Sequence, residues 1–72
     1  MAAPNKFAKT LGRRIDSLRE QRGMSFQQMA SACDMDKAQV YKICTAGVDV
    51  RASSLVKIAK GLNVNIQELF DF

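Results

Sequence analysis

The stretch Ser25 to Thr45, SFQQMASACDMDKAQVYKICT, holds two short apolar patterns of helical period, each with its own start signal. Ser25 can accept from the free N–H groups of a first turn, and Gln28 can reach back to the Ser25 N–H. Asp36 and Gln39 repeat the arrangement. Met24 with Met29, and Met35 with Val40, are spaced as hydrophobic staples that fix the angle at which the chain enters each helix. Asp34 stands where the first helix must stop, and Asp enters a left-handed backbone more readily than most residues. The stretch therefore predicts helices over about Phe26 to Cys33 and about Lys37 to Thr45, meeting across a tight turn.

That outline is a helix-turn-helix. In the first helix of the pair, Phe26, Met29, Ala30 and Cys33 fall on the inner face, and Ala30 is small enough to let its neighbour approach closely. In the second, Val40, Ile43 and Cys44 turn inward, which leaves Lys37, Ala38, Tyr41, Lys42 and Thr45 on the outer face. Upstream, Phe7, Leu11, Ile15 and Leu18 form an apolar stripe on a helix starting at Pro4 or Asn5, with residues 1–5 as a loose arm. Gly23 caps that helix, and Arg22 faces the negative end of its dipole. Downstream, Ala46 to Val50 reads as a loop, and Leu55, Ile58, Ala59 and Leu62 mark a fourth helix starting at Arg51 or Ala52 and stopping at Gly61 to Asn63. A fifth helix is expected from Asn65 to Phe70, with Glu68 completing a capping box and Val64 and Leu69 as its staple. No strand pattern or repeat appears, so the expected fold is all-α: one domain over residues 1–72, a bundle of five helices.

Seventy-two residues allow one small core, and a chain of this size is marginal unless it packs well or dimerises. There is no His, and Cys33 and Cys44 lack the spacing and companions of a zinc site. An enzyme, a metal site and a cofactor are therefore not expected, and no room is left for a domain that senses a small-molecule ligand. Both Cys lie on apolar helix faces, where they read as small buried hydrophobes in a reducing cytosol rather than a disulfide or redox switch. No signal peptide or membrane-spanning run is present, so a cytoplasmic protein without a membrane partner is expected.

The chain carries 11 Lys+Arg against 7 Asp+Glu, a net charge of +4, which permits nucleic acid as a partner. Residues 1–22, with Lys6, Lys9, Arg13, Arg14, Arg19 and Arg22 against Asp16 and Glu20, hold an excess as large as that of the whole chain, while residues 23–50 are slightly acidic. Lys6, Lys9, Arg13 and Arg14 lie off the apolar stripe, where they form either a solvated face or a set of phosphate contacts.

From Leu11 to Phe70 the residues resemble the phage lambda repressor and Cro type of helix-turn-helix regulators. The likeness rests on LRxxRG at Leu18 to Gly23, on Ser25, Met29 and Ala30, on the Ala30, Asp34, Val40 spacing at the turn, and on LVKIAKGLNVNIQELF at Leu55 to Phe70. It implies a compact lambda repressor-like DNA-binding domain of bacterial or phage origin. Three positions depart from the family pattern. Asp34 replaces a Gly at the turn, Phe26 replaces a phosphate-holding Gln, and Cys44 replaces a Glu that pairs with the Arg matching Arg19. Arg19 is thus expected to turn outward or to find Asp16, a backbone carbonyl or solvent, since an unpaired buried charge is costly.

An α-helix fits the major groove, where each base pair shows a distinct donor and acceptor pattern, so the outer face of the third helix is where sequence is read. The resemblance places Lys37, Ala38 and Lys42 on base-contacting positions; Tyr41 adds a ring edge and a hydroxyl, with a half-buried aromatic as its plainer reading. Backbone contacts are expected from the start of the second helix with Gln27 or Gln28, and from Gln39, Arg13, Arg51 and Ser53, the last of which also reads as a helix cap. Ile66, Leu69, Phe70 and Phe72 form the expected dimer surface. The expected function is a repressor of transcription that binds a palindromic double-stranded DNA operator as a homodimer. The alternative is a helix-turn-helix fold that binds a partner protein, as an antitoxin or antirepressor does.

Overall fold

A computed structural model describes residues 6–72. The expected N-terminal arm and the helix start at Pro4 or Asn5 lie outside the described residues. The elements are α1 (Lys6–Gln21), α2 (Phe26–Cys33), α3 (Lys37–Ala46) and α4 (Ala52–Leu62), followed by a 3-10 helix over Ile66–Phe70. No strand occurs among the described residues. The expectation of five α-helices is thus corrected to four. Ile66–Phe70 is only five residues long, its Glu68 N–H donates to Asn65 O at 2.9 Å, and Asp71 leaves helical backbone at φ −84° and ψ 80°. So short a segment closes with the tighter i to i+3 bonds.

The core joins Leu11, Ile15 and Leu18 of α1 to Met29, Ala30 and Cys33 of α2, Val40, Ile43 and Cys44 of α3, Ile58, Ala59 and Leu62 of α4, and Leu69. α1 packs against α3 and the closing 3-10 helix, and α2 packs against α3 and α4. Two glycines set how closely these helices approach. A Cβ on Gly12 would run into the Ile43 carbonyl oxygen, and one on Gly61 would run into the Cys33 sulfur. Either addition would push a helix off its neighbour.

The helix ends follow the local signals closely. Gly23 sits at φ +66°, and its N–H donates to Glu20 O at 2.9 Å. α2 and α4 both end in a left-handed residue that is not glycine, Asp34 at φ 55° and Asn63 at φ 57°. In each case the next N–H reaches back into the helix, Met35 to Ala30 O at 2.9 Å and Val64 to Ala59 O at 3.0 Å. This hydrogen bonding offsets the steric cost of the left-handed backbone. The Arg22 side chain also reaches α4: its Nη2 donates to Asn63 O at 3.3 Å.

Two expectations about apolar residues are corrected. Phe7 is 57% exposed, since the core has run out at that end of α1 and Ala8 takes the inner position. Leu69 is fully buried and cannot form part of a dimer surface; its side chain anchors the 3-10 helix in the core.

Candidate nucleic-acid interface

The start of α2 is held by a reciprocal pair of bonds. Gln28 N–H donates to Ser25 Oγ at 3.0 Å, and Ser25 N–H donates to Gln28 Oε1 at 2.8 Å. The capping box therefore forms, and it leaves the Gln28 amide NH2 and the exposed Gln27 facing outward. The matching start of α3 does not form in the same way. Asp36 has the extended backbone of an N-cap but makes no side-chain cap bond, so the expected Asp36 and Gln39 box is corrected to a backbone-only start, with Val40 N–H donating to Asp36 O at 3.0 Å.

α3 divides cleanly by burial. Val40, Ile43 and Cys44 are buried, while Lys37, Ala38, Tyr41 and Lys42 are exposed. The Thr45 hydroxyl donates to Tyr41 O at 2.7 Å and is locally satisfied. Tyr41 is 52% exposed, and its ring meets the Phe26 ring edge-on, with centroids 5.2 Å apart and planes at 77°. Tyr41 is therefore presented outward and braced on one side.

Two of the three departures from the family pattern, Phe26 and Cys44, make physical sense together. Arg19, at only 13% side-chain exposure, pairs with Asp16 Oδ1 at 2.9 Å. Its Nη1 donates to Met24 O at 2.6 Å, and its guanidinium lies 4.2 Å from the centroid of the Phe26 ring. An ion pair within α1, a carbonyl and an aromatic ring thus take over from a Glu on α3. With the Arg satisfied elsewhere, position 44 holds an apolar thiol. Burial chiefly, with Asp16 nearby, pushes the Cys44 thiol up to about 12, and burial raises that of Cys33 as well. Both are free and buried, so both behave as small core hydrophobes.

Around the turn, Ser31, Asp34, Asp36, Gln39, Arg51, Ser53, Ser54 and Lys57 line an open groove of about 620 Å³. It brings the expected backbone contacts Gln39, Arg51 and Ser53 together and adds Lys57. That lysine lies on α4 one turn beyond Ser53, a helical spacing legible in the sequence once both are placed on one face. α4 begins at Ala52 with Arg51 in the cap position, so the reading of Ser53 as a helix cap is set aside. Arg13 is exposed and shares with Lys9 a smaller hollow of about 170 Å³ against Thr45 and Gly47 at the end of α3. Arg14 has a different role. Its Nε donates to Glu68 O at 2.8 Å, and its guanidinium lies 3.8 Å from Asp71, which ties α1 to the 3-10 helix.

Among the described residues no group of His, Cys, Asp or Glu could hold a metal, and no helix is long and apolar enough to cross a membrane. A capped supporting helix and a second helix showing lysines and a tyrosine on its free face define a helix-turn-helix DNA-binding domain. A sequence profile of the Cro/C1-type helix-turn-helix DNA-binding domain matches residues 14–72, and the chain belongs to that family. It is a DNA-binding transcriptional regulator, not an enzyme. Among solved structures, the restriction-modification controller protein C.AhdI from Aeromonas hydrophila is similar at 25% identity and a TM-score of 0.84, over 88% of this chain and 96% of that one. The controller protein C.Esp1396I shares the fold at 22% identity and a TM-score of 0.85, over 93% of this chain and 88% of that one. No curated protein sequence matches the chain significantly.

Proposed function

We propose that the protein reads a specific DNA sequence through Lys37, Ala38, Tyr41 and Lys42 and represses transcription by occupying a palindromic operator as a homodimer. The observation that carries this reading is the division of α3, buried along one side and exposing those four residues on the other. Lysine donates to guanine O6 and N7, and the Ala38 methyl fits a thymine methyl. Gln27, Gln28, Gln39, Arg13, Arg51 and Ser53 supply backbone contacts around them, with Lys57 beside the last two. The likeness to C.AhdI, a restriction-modification controller by name, supports a regulatory role and offers a control circuit of that kind as its setting.

One recognition helix reads only a few base pairs, so two copies on half-sites about 34 Å apart give the needed affinity. Ile66, Phe70 and Phe72 are exposed, and Phe7 stacks with Phe70 at 6.3 Å and tilts against Phe72 at 5.7 Å. This aromatic end of the molecule is the proposed dimer surface, with Phe7 in the place first given to Leu69. The alternative of a partner-protein module rests on the slightly acidic stretch of residues 23–50 and on the loss of the family's Gln and Glu. The Asp16, Met24 and Phe26 contacts of Arg19 supply partners in place of the Glu, which supports the DNA-reading proposal over that alternative.

Selection from a random duplex library at two salt concentrations tests the reading. A palindromic motif is expected; binding that is salt-sensitive but shows no motif, or no binding, would contradict it. Sedimentation over a range of concentrations should show self-association that Phe72→Ala weakens, and a strict monomer at high concentration would remove the palindrome from the account.

A further inference from the structure

We infer that Phe26 is a positioning residue for DNA reading: its ring fixes the orientation of Tyr41 on the outer face of α3 and so sets sequence discrimination without touching DNA. The inference rests on the proposed base reading by α3. Phe26 is the first residue of α2 and packs partly against the core. Its ring is fixed from outside α3, because the guanidinium 4.2 Å from its centroid belongs to Arg19, which Asp16 holds at 2.9 Å and the Met24 carbonyl at 2.6 Å. A continuous set of contacts therefore runs from α1, through the loop, to the start of α2 and on to the reading face.

On that face Tyr41 has little else to hold it. It is 52% exposed, and the Thr45 hydroxyl bonds to its backbone carbonyl, not to its ring. A long side chain on a helix surface has two common χ1 choices, about 180° and about −60°. An edge-to-face aromatic contact such as that with Phe26 favours one of them by about 2- to 12-fold. Orienting the ring and hydroxyl before DNA arrives lowers the ordering cost of the contact. A base contact depends on that orientation, whereas phosphate contacts made by mobile lysines and arginines do not. Loss of Phe26 should thus reduce discrimination and leave general affinity in place.

The chain has one Tyr and no Trp, so its intrinsic fluorescence reports the Tyr41 ring alone. Time-resolved anisotropy of the unbound protein should show restricted ring motion in the native chain and a larger fast component in Phe26→Leu. Phe26→Met serves the same comparison if the Leu variant melts below the assay temperature. On DNA, Phe26→Leu should lower the ratio of affinities for the selected duplex and a scrambled duplex by up to about twofold, the loss that follows when the favoured ring orientation falls to about half of the population. Affinity for the scrambled duplex should be unchanged, and Phe26→Tyr, which keeps an aromatic ring against Tyr41, should restore the native ratio. In a Tyr41→Ala background Phe26→Leu should cost nothing further, since the two changes act through one contact. An unchanged fast component in the Leu and Met variants, equal loss on both duplexes, or an undiminished loss in the Tyr41→Ala background would overturn the inference. Should selection return no motif, the DNA-reading proposal falls, while the anisotropy comparison still decides whether Phe26 positions Tyr41.

Discussion

The starts of α2 and α3 are matched in sequence and different in structure. Ser25 and Gln28 close a reciprocal pair of bonds, whereas Asp36 and Gln39, at the same spacing, make none. α2 is tied at its first turn to its own cap, to Arg19 through Phe26 and to the core. α3 begins on backbone bonds alone, with the Asp36 carboxylate and the Gln39 amide beside the open groove. The difference separates two tasks. The supporting helix is fixed by its own residues, while α3 keeps the polar groups at its start uncommitted beside the groove.

The largest effect expected from this contrast lies in the group that braces α2. Arg19→Ala removes an ion pair, a carbonyl bond and a ring contact, and leaves Asp16 without its partner. It should lower stability by about 2 kcal/mol, measured by urea denaturation. Ser25→Ala should cost about 1 kcal/mol, while Asp36→Ala should stay within about 0.5 kcal/mol of the native chain. Equal costs at the two caps would erase the contrast. Asp34→Gly relieves a left-handed backbone at φ 55° and should raise stability by about 0.5 kcal/mol, after the greater freedom of unfolded Gly is subtracted. The same change removes an acid beside the groove, so affinity for duplex DNA should rise with it.

The smallest effect at neutral pH becomes visible only in alkali. The Cys44 thiol is raised from 9.0 to about 12 in the folded protein, so between those values the folded chain holds a proton that the unfolded chain has lost. Its contribution to stability is complete below pH 9.0 and declines as pH rises toward 12. Urea midpoints should fall above about pH 9, and the Cys44→Ala chain should show a shallower decline.

Much of the fold was legible because it is written in local signals. The capping box at Ser25, the left-handed stop at Asp34, the glycine cap at Gly23 and the inner faces of α2, α3 and α4 each depend on residues a few positions apart. What the sequence concealed depends on residues distant in the chain. The close approaches at Gly12 and Gly61 involve backbone and sulfur atoms from other helices, and helical spacing carries no sign of them. Phe7 keeps the period of the α1 stripe, yet at the end of the helix it meets Phe70 and Phe72 instead of the core. Leu69 was visible as an apolar residue near the C-terminal end, but the pattern could not distinguish a core anchor from a contact surface.

At the site, the outer face of α3 followed from the period of the helix alone. The tie from Arg19 through Phe26 to Tyr41 did not, since it replaces a charged pair with an aromatic one across three elements. Arg14 likewise read as a free basic residue, and only the folded chain shows it bound to Glu68 O and near Asp71. Arg13 beside it remains exposed. The two arginines are adjacent in sequence, and one ties two elements of the fold while the other is exposed to solvent.

The central claim is that α3 reads bases while residues outside it supply general affinity. It is tested most directly by measuring the affinity of Lys42→Ala and Arg13→Ala for a selected and a random duplex across a range of salt. Lys42→Ala should lose about 1–3 kcal/mol on the selected duplex and little on the random one, relaxing preference at one position. Arg13→Ala should weaken binding to both duplexes alike and flatten the salt slope by about one unit. Equal loss on both duplexes for Lys42→Ala would contradict the claim.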